Sequence, residues 1–422
     1  MLKKSVRFLS FLSLLLLLTA ALSAGEFRFF GETNKDPLQF AAGEEMTFTV
    51  QLLEDGQPIS GKKLKWTRRG DDGVTTSGEA VSDAEKPLVI RTKLDVPGFV
   101  HVNVQAFDEN GVLKNDEKAM PSFDGGAGVR LSEITCCDEP ADFDEFWAKQ
   151  KARLAEVPIR ADMVEVDSGN PEVACYDVKI DCVGVPVSGY YCKPKKAEPK
   201  SLPAYVSFQG YGVYSAGKQS WSTNRLFLQI NAHGILNGQP ETYYETLKNT
   251  TLRGYAFKND ENVRPETCYF NGMMLRVMRA LQWVKSQPEW NGQVLVVGGG
   301  SQGGLQCLTA AGLDQDVTEC NAVVPWCLDL AGYAQKNRLR GWRPDWEEGL
   351  GYYDAATHAK RIRCKTTISA GLGDYTCPPS GQIVLFNNLK CPKVLTFNQG
   401  RTHGYSMPNG SVSTLTNMEE NK

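Results

Sequence analysis

Three side chains that together perform acyl transfer stand far apart in this chain: Ser301, Asp374 and His403. A serine hydroxyl is a weak nucleophile at neutral pH until a base takes its proton and an acid orients that base. Ser301 lies in Gly299-Gly300-Ser301-Gln302-Gly303, a match to G-x-S-x-G. In that pattern the serine occupies a strained strand-to-helix turn, and its neighbours must be small where strand and helix converge. Plain glycine-rich turns share the pattern, so its company decides. The chain has four histidines, His101, His233, His358 and His403, and only the last has a suitable acid behind it. Asp374 follows the apolar run Thr366 to Ala370, just after the turn Gly371 to Gly373, and His403 follows the run Val394 to Phe397. The order Ser, Asp, His is that of hydrolases whose nucleophile sits on such a turn. Each candidate then stands past the C-terminal end of a predicted strand, where open α/β sheets place their chemistry.

The elements that must position these groups are legible as period and punctuation. Val294 to Val297 reads as a strand buried on both faces, and Leu305, Leu308, Thr309 and Leu313 predict a helix beginning just after Ser301. Further strands are predicted at Ala174 to Cys182, Val185 to Cys192, Pro203 to Phe208, Leu226 to Ala232 and Ala322 to Pro325. Phe143, Phe146, Trp147, Gln150 and Leu154 mark one amphipathic helix, and Met274, Val277, Met278, Leu281 and Val284 another. Strands alternating with helices predict a mainly parallel, doubly wound α/β sheet. An acyl transferase also needs donors for the oxyanion. One is expected from the backbone NH of Gln302, the residue after the nucleophile. The other is expected from the loop Phe208-Gln209-Gly210-Tyr211-Gly212, through Tyr211.

The N-terminal quarter reads differently. Residues 1–24 carry Lys3, Lys4 and Arg7, then an apolar run from Phe8 to Leu18, then small residues, which is the pattern of a secretory signal peptide too short to anchor in a membrane. An exported protein, periplasmic or secreted, is expected. Residues 25–125 show short alternating strands at 46–53, 64–66, 88–94 and 99–107, with Trp66 on an inner strand, and predict an immunoglobulin-like β-sandwich serving as a spacer or packing unit, with glycan binding as the alternative. Glycine-rich, polar residues from Pro121 to Gly128 read as the start of a linker, assigned to 126–141, ahead of a hydrolase domain at 142–422. A formal charge of −3 gives no electrostatic case for nucleic acid or an anionic membrane. The twelve cysteines include Cys175, Cys182, Cys192, Cys307, Cys320, Cys364 and Cys391 in or beside apolar runs, so mostly free thiols are expected, with no metal.

Taken together, Phe143 to Trp147, the Gly210-Tyr211-Gly212 turn, Ser301-Gln302-Gly303-Gly304 and Gly371 to Pro379 resemble carbohydrate esterase family seven, the acetyl xylan esterase and cephalosporin C deacetylase family. The resemblance runs from about Asp142 to His403. It implies an α/β-hydrolase that removes acetyl groups from short xylo-oligosaccharides and small acetyl esters without metal or cofactor, with a pocket that prefers acetyl to butyryl. It assigns nucleophile to Ser301, acid to Asp374, base to His403 and oxyanion donors to Tyr211 and Gln302. Family members often form ring-shaped hexamers, so a homo-oligomer is among its implications. Two positions depart from the family pattern: Ala232-His233-Gly234 stands in place of Arg-Gly-Gln, and His403-Gly404 in place of His-Glu. The first bears on loop packing and assembly; the second leaves the three catalytic types in place.

Substrate contacts rest on Trp326, Trp342 and Trp346, with Tyr352 and Tyr353, which crowd the segment between Ser301 and Asp374. Large aromatics there serve equally as sugar platforms, a packed lid or a subunit contact. His233 reads as a structural histidine. Rival readings are a serine peptidase, an esterase for larger acyl groups such as feruloyl, and a non-catalytic glycan-binding protein on a hydrolase scaffold.

Overall fold

The stretch carrying Ser301 folds as strand Trp290–Gly300, turn, and helix Gln302–Leu313. It lies at the middle of the computed structural model, which describes residues 25–116 and 120–417. The strand belongs to a ten-stranded sheet in the order Ala161–Val166, Val173–Ile180, Val187–Pro194, Leu226–Ile230, Leu202–Phe208, Trp290–Gly300, Glu319–Val323, Lys365–Gly371, Lys393–Asn398, Val412–Thr416. Every pairing from Leu226–Ile230 through Lys393–Asn398 is parallel, and the pairings outside that block are antiparallel. The parallel register sets Gly300 beside Val323 and Gly371 beside Asn398, so the chain leaves three strands toward Ser301, Asp374 and His403 along one edge.

Burial explains why the central strands were legible. Val206, Val297, Ala322, Ile368 and Leu395 are closed to solvent and share one apolar cluster with the helices Tyr269–Lys285 and Gln302–Leu313. Two edge strands, Ala161–Val166 and Val412–Thr416, were not predicted. Both are largely exposed, so neither carries the apolar alternation that a half-buried strand shows.

The N-terminal segment forms two antiparallel sheets around one apolar cluster. Phe27–Thr33, Met46–Glu54 and Leu88–Thr92 make one; Lys63–Gly70, Thr75–Val81, Gly98–Asp108 and Ser122–Val129 make the other. Phe48, Val50, Leu52, Ile90, Val102, Val104 and Phe123 alternate inward to fill the space between them. Trp66 only borders this core and covers Gly78 on the neighbouring strand.

The expected linker is corrected by the structure. Residues 122–129 are a buried strand paired with Gly98–Asp108, and its glycines serve close approach rather than flexibility. A β-carbon on Gly126 would stand 2.6 Å from the Leu372 carbonyl oxygen, and one on Gly373 would stand 2.0 Å from that of Asp124. The Gln399 side chain donates to the Gly126 carbonyl and accepts from its NH, both at 2.9 Å. Phe99 and Leu38 belong to the large core, and Met407 to the small one. The N-terminal sheets are thus seamed to the loops that follow the last parallel strands. The signal-peptide reading falls on residues 1–24, outside the described residues. Among the described residues no helix is long and apolar enough to cross a membrane.

Candidate active site

Ser301 sits at φ 56°, ψ −119°, a backbone region that costs a side-chain-bearing residue about 1–3 kcal/mol. Two backbone bonds hold it there: its NH donates to Val323 at 2.9 Å, and its carbonyl accepts from Trp326 at 3.0 Å. The small neighbours are obligatory. A β-carbon on Gly303 would lie 2.2 Å from the Phe208 carbonyl oxygen, on Gly299 2.5 Å from the Gly303 carbonyl carbon, and on Gly304 2.8 Å from Pro325. The hydroxyl therefore stands at the N-terminus of a twelve-residue helix, where the dipole favours developing negative charge.

The three predicted side chains meet. His403 Nε2 is 3.0 Å from Ser301 Oγ, and His403 Nδ1 is 2.9 Å from Asp374 Oδ2. The other carboxylate oxygen accepts from the backbone NH of Thr376 at 2.9 Å and Cys377 at 2.8 Å. Asp374 is sealed from solvent while the His403 side chain keeps 27% of its exposure, so the base is reachable and its orienting acid is not. Asp374, Cys377 and His403 bring their donor atoms within 4.8 Å of one another, the spacing of a metal site. Both ring nitrogens of His403 are already engaged, however, and burial pushes the Cys377 thiol well up, so this donor set is poorly suited to a cation.

Neither the Tyr211 nor the Gln302 backbone NH has an acceptor among the described residues, and Gly210 faces the Gly300 carbonyl, so the tyrosine loop adjoins the elbow. Two residues that sequence reasoning did not weigh for the loop hold it. Tyr255 stacks on Tyr211 at 4.2 Å between ring centres, and its hydroxyl accepts from Gly212 NH at 2.9 Å and donates to Gln302 Oε1 at 3.1 Å. Tyr269 works through His233. Burial pushes the His233 ring down to about 4 and the Tyr269 hydroxyl up to about 12, so both are neutral at pH 7. His233 Nε2 donates to the Gly212 carbonyl at 2.8 Å, and its Nδ1 accepts from the Tyr269 hydroxyl at 2.6 Å. Arg276 donates to the adjacent Ala232 carbonyl at 2.6 Å. His233 is thus a pin for the tyrosine loop. No local periodicity marks Tyr255 or Tyr269 for this work; it depends on contacts between residues 36 to 47 apart in the chain.

The aromatic residues separate into different roles. Tyr211 is ringed by Tyr255, Phe257 at 5.8 Å, Trp326 at 5.6 Å and Trp342 at 4.7 Å. Trp326 is 1% exposed and its indole NH donates to the Trp342 carbonyl, so it backs the site and presents no free face for stacking. Trp342 is 42% exposed. Trp346 is half-buried against the main core and makes no ring contact with the Tyr211 group. Tyr352 and Tyr353 pack with Phe146 and Trp147 on the first helix of the hydrolase body, Phe143–Ala155. For Trp326 the sugar-platform expectation is therefore corrected: contact with the core has claimed its faces.

The N-terminal sheets reach this site. The His101 ring packs on Tyr375, next to Asp374, and His101 Nε2 lies 3.1 Å from Asp124. Buried Asp71 accepts from Phe99 NH and from Leu339 NH, each at 2.8 Å, tying the N-terminal sheet to the segment before Trp342.

A strained serine at the end of a parallel strand, bonded in space to a histidine and a sealed aspartate, is carried here on an α/β-hydrolase fold. Residues 134–341 and 342–416 match the family model for acetyl xylan esterase. Over 340 residues the chain is 30% identical to acetyl esterase Axe7A of Xylanibacter ruminicola, covering 76% of this chain and 74% of that protein. An acetyl xylan esterase from Paenibacillus sp. R4 superposes with a TM-score of 0.54 at 27% identity, over 65% of this chain and 94% of that one. Acetyl xylan esterase 1 from Thermoanaerobacterium sp. JW/SL YS485 shares the fold, with a TM-score of 0.51 at 22% identity, over 66% and 94% of the two chains. The chain belongs to the acetyl xylan esterase family, and with it to the carboxylic ester hydrolases.

Proposed function

We propose that this protein is an exported serine esterase that removes acetyl groups from acetylated xylo-oligosaccharides through an acetyl-enzyme. The reading rests on one observation above all: Ser301 Oγ, His403 and Asp374 in unbroken hydrogen-bond contact. His403 Nε2 takes the hydroxyl proton as Ser301 Oγ attacks the acetyl carbonyl carbon. The carbonyl electrons move to an oxyanion held by the NH groups of Tyr211 and Gln302, each such donor contributing about 3 kcal/mol to the transition state. The tetrahedral adduct collapses, the sugar–oxygen bond to the acyl carbon breaks, and His403 returns its proton to the departing sugar oxygen. Water then enters, loses a proton to His403 and attacks the acetyl carbon. Acetate leaves and the proton goes back to Ser301. Asp374 keeps the imidazole in the tautomer that both half-reactions need.

In this reading the chain is organised as a signal peptide, an immunoglobulin-like sandwich from 25, and a catalytic body from about 142, with the 122–129 strand as the seam. The test is a Ser301→Ala variant assayed on p-nitrophenyl acetate and on acetylated xylo-oligosaccharide. Turnover is expected to fall by at least about 10³-fold with unchanged circular dichroism. A folded variant that retains turnover would overturn the assignment.

A further inference from the structure

The seam leaves a cleft of about 480 Å³, within the range of small-ligand sites, between the N-terminal sheets and the segment that precedes Trp342. The N-terminal sheets contribute Arg69, Gly70 and Thr75; the hydrolase body contributes Tyr333, Arg340, Trp342 and Tyr375. Three arginines line this cleft and no carboxylate does. They are not equivalent. Arg338 is spent on the buried Asp329. Arg340 lies over the Tyr333 ring, forms an ion pair with the exposed Asp345 and donates to the Arg343 carbonyl. Arg69 is exposed, and its guanidinium has no hydrogen bond or ion pair among the described residues. Tyr333 and Trp342 present 52% and 42% of their surfaces. The cleft also adjoins the chemistry. Trp342 meets Tyr211 edge to face at 4.7 Å, and Tyr375 is the residue after Asp374. A second cleft, beside His403, is different in kind: its one arginine, Arg28, is already paired with Glu26.

Exposed aromatic faces suit sugar rings, and an unpaired planar guanidinium suits a carboxylate that it can grip with two parallel hydrogen bonds. We propose that this cleft is a subsite for an acidic sugar, so that the enzyme selects acetylated oligosaccharides bearing a uronic-acid residue. Arg69 is its carboxylate-reading residue and Tyr333 and Trp342 are its stacking platforms. The proposal rests on the esterase reading above and adds to it a specificity supplied by the N-terminal sheets.

The test separates the two. Turnover of p-nitrophenyl acetate by the wild-type protein reports the esterase reading alone. The cleft is tested by calorimetric titration of the Ser301→Ala protein with two deacetylated xylo-oligosaccharides of equal length, one carrying a uronic-acid substituent and one neutral. Tighter binding of the acidic ligand is expected, with a preference that weakens as salt is raised. Arg69→Gln and, independently, Arg340→Gln should reduce that preference, Arg69→Gln by about tenfold, the effect of losing one charge-assisted pair. Tyr333→Ala should weaken both ligands together. Equal binding of the two oligosaccharides by the parent protein, or an Arg69→Gln change that weakens both to the same extent, would overturn the proposal.

Discussion

Mild acid should unfold this protein by a route that its histidines dictate. Three of the four are buried and neutral: burial pushes His101 and His233 down to about 4 and His358 down to about 3, from an unfolded value of about 6.5. Since each folded value is depressed, the unfolded chain binds more protons between roughly pH 4 and 6.5, and stability falls as pH falls through that window. From pH 7 to pH 5 each ring contributes a loss of a little under about 2 kcal/mol, so the three together remove between about 5 and 6 kcal/mol. Two groups work the other way. Burial and the nearby Asp329 raise Asp354 to about 6, so the folded state takes up its proton first and recovers about 1 kcal/mol. Asp71, also raised by burial, adds to the recovery in the same direction. The net expectation is a loss of about 4 kcal/mol, a large share of the 5–15 kcal/mol typical of a folded protein. Urea unfolding followed by tryptophan fluorescence at half-unit steps from pH 7 to pH 5 measures it. The slope near pH 5.5 should correspond to about two extra protons on the unfolded chain. A His358→Gln variant, which removes one titrating ring wedged between Phe143 and Trp147, should lower that slope by about one proton. A stability that stays flat from pH 7 to pH 5 would refute the premise that these rings are held neutral by the fold.

Two further outcomes test how the site is held. His233→Ala leaves the Gly212 carbonyl without its donor and frees the Tyr211 loop, so kcat should fall by roughly tenfold to a hundredfold with KM little changed, and His233→Gln, which can still donate, should restore part of it; equal loss in both variants, or none, counts against the pin. Gly303→Ala puts a methyl group 2.2 Å from the Phe208 carbonyl oxygen, where only backbone can yield, so thermal melting should report a loss of more than about 2 kcal/mol and esterase turnover should fall with it; a variant as stable and active as the parent would show that the elbow has room.

How much of this was written in the chain itself depends on the range of the forces involved. The strand before Ser301 and the helix after it are local: β-branched residues, three small residues at the turn and apolar spacing suffice to specify them, and so does the G-x-S-x-G mark. Asp374 and His403 could be nominated for a similar reason, because each follows an apolar run that a buried parallel strand requires. The edge strands Ala161–Val166 and Val412–Thr416 were silent because exposed strands need no pattern.

Pairing across the chain was decided elsewhere. Glycines at 125, 126 and 128 read as a linker because, locally, glycine signals freedom; in the fold Gly125 and Gly126 lie against Gln399 and Leu372 of the hydrolase body, and Gly128 leaves room for Phe99 and Leu131. Trp326 and Trp342 are alike in composition and sixteen residues apart, yet one is sealed and the other is open. The fate of each ring was set by which distant surface closed over it, and a linear string of residue types holds no record of that closure. Residue type and spacing therefore determined what chemistry this protein has available. Tertiary packing alone decided that His233 pins a loop rather than moving protons, and that Arg69, more than two hundred residues before Ser301, shares a cleft with Trp342 and Tyr375.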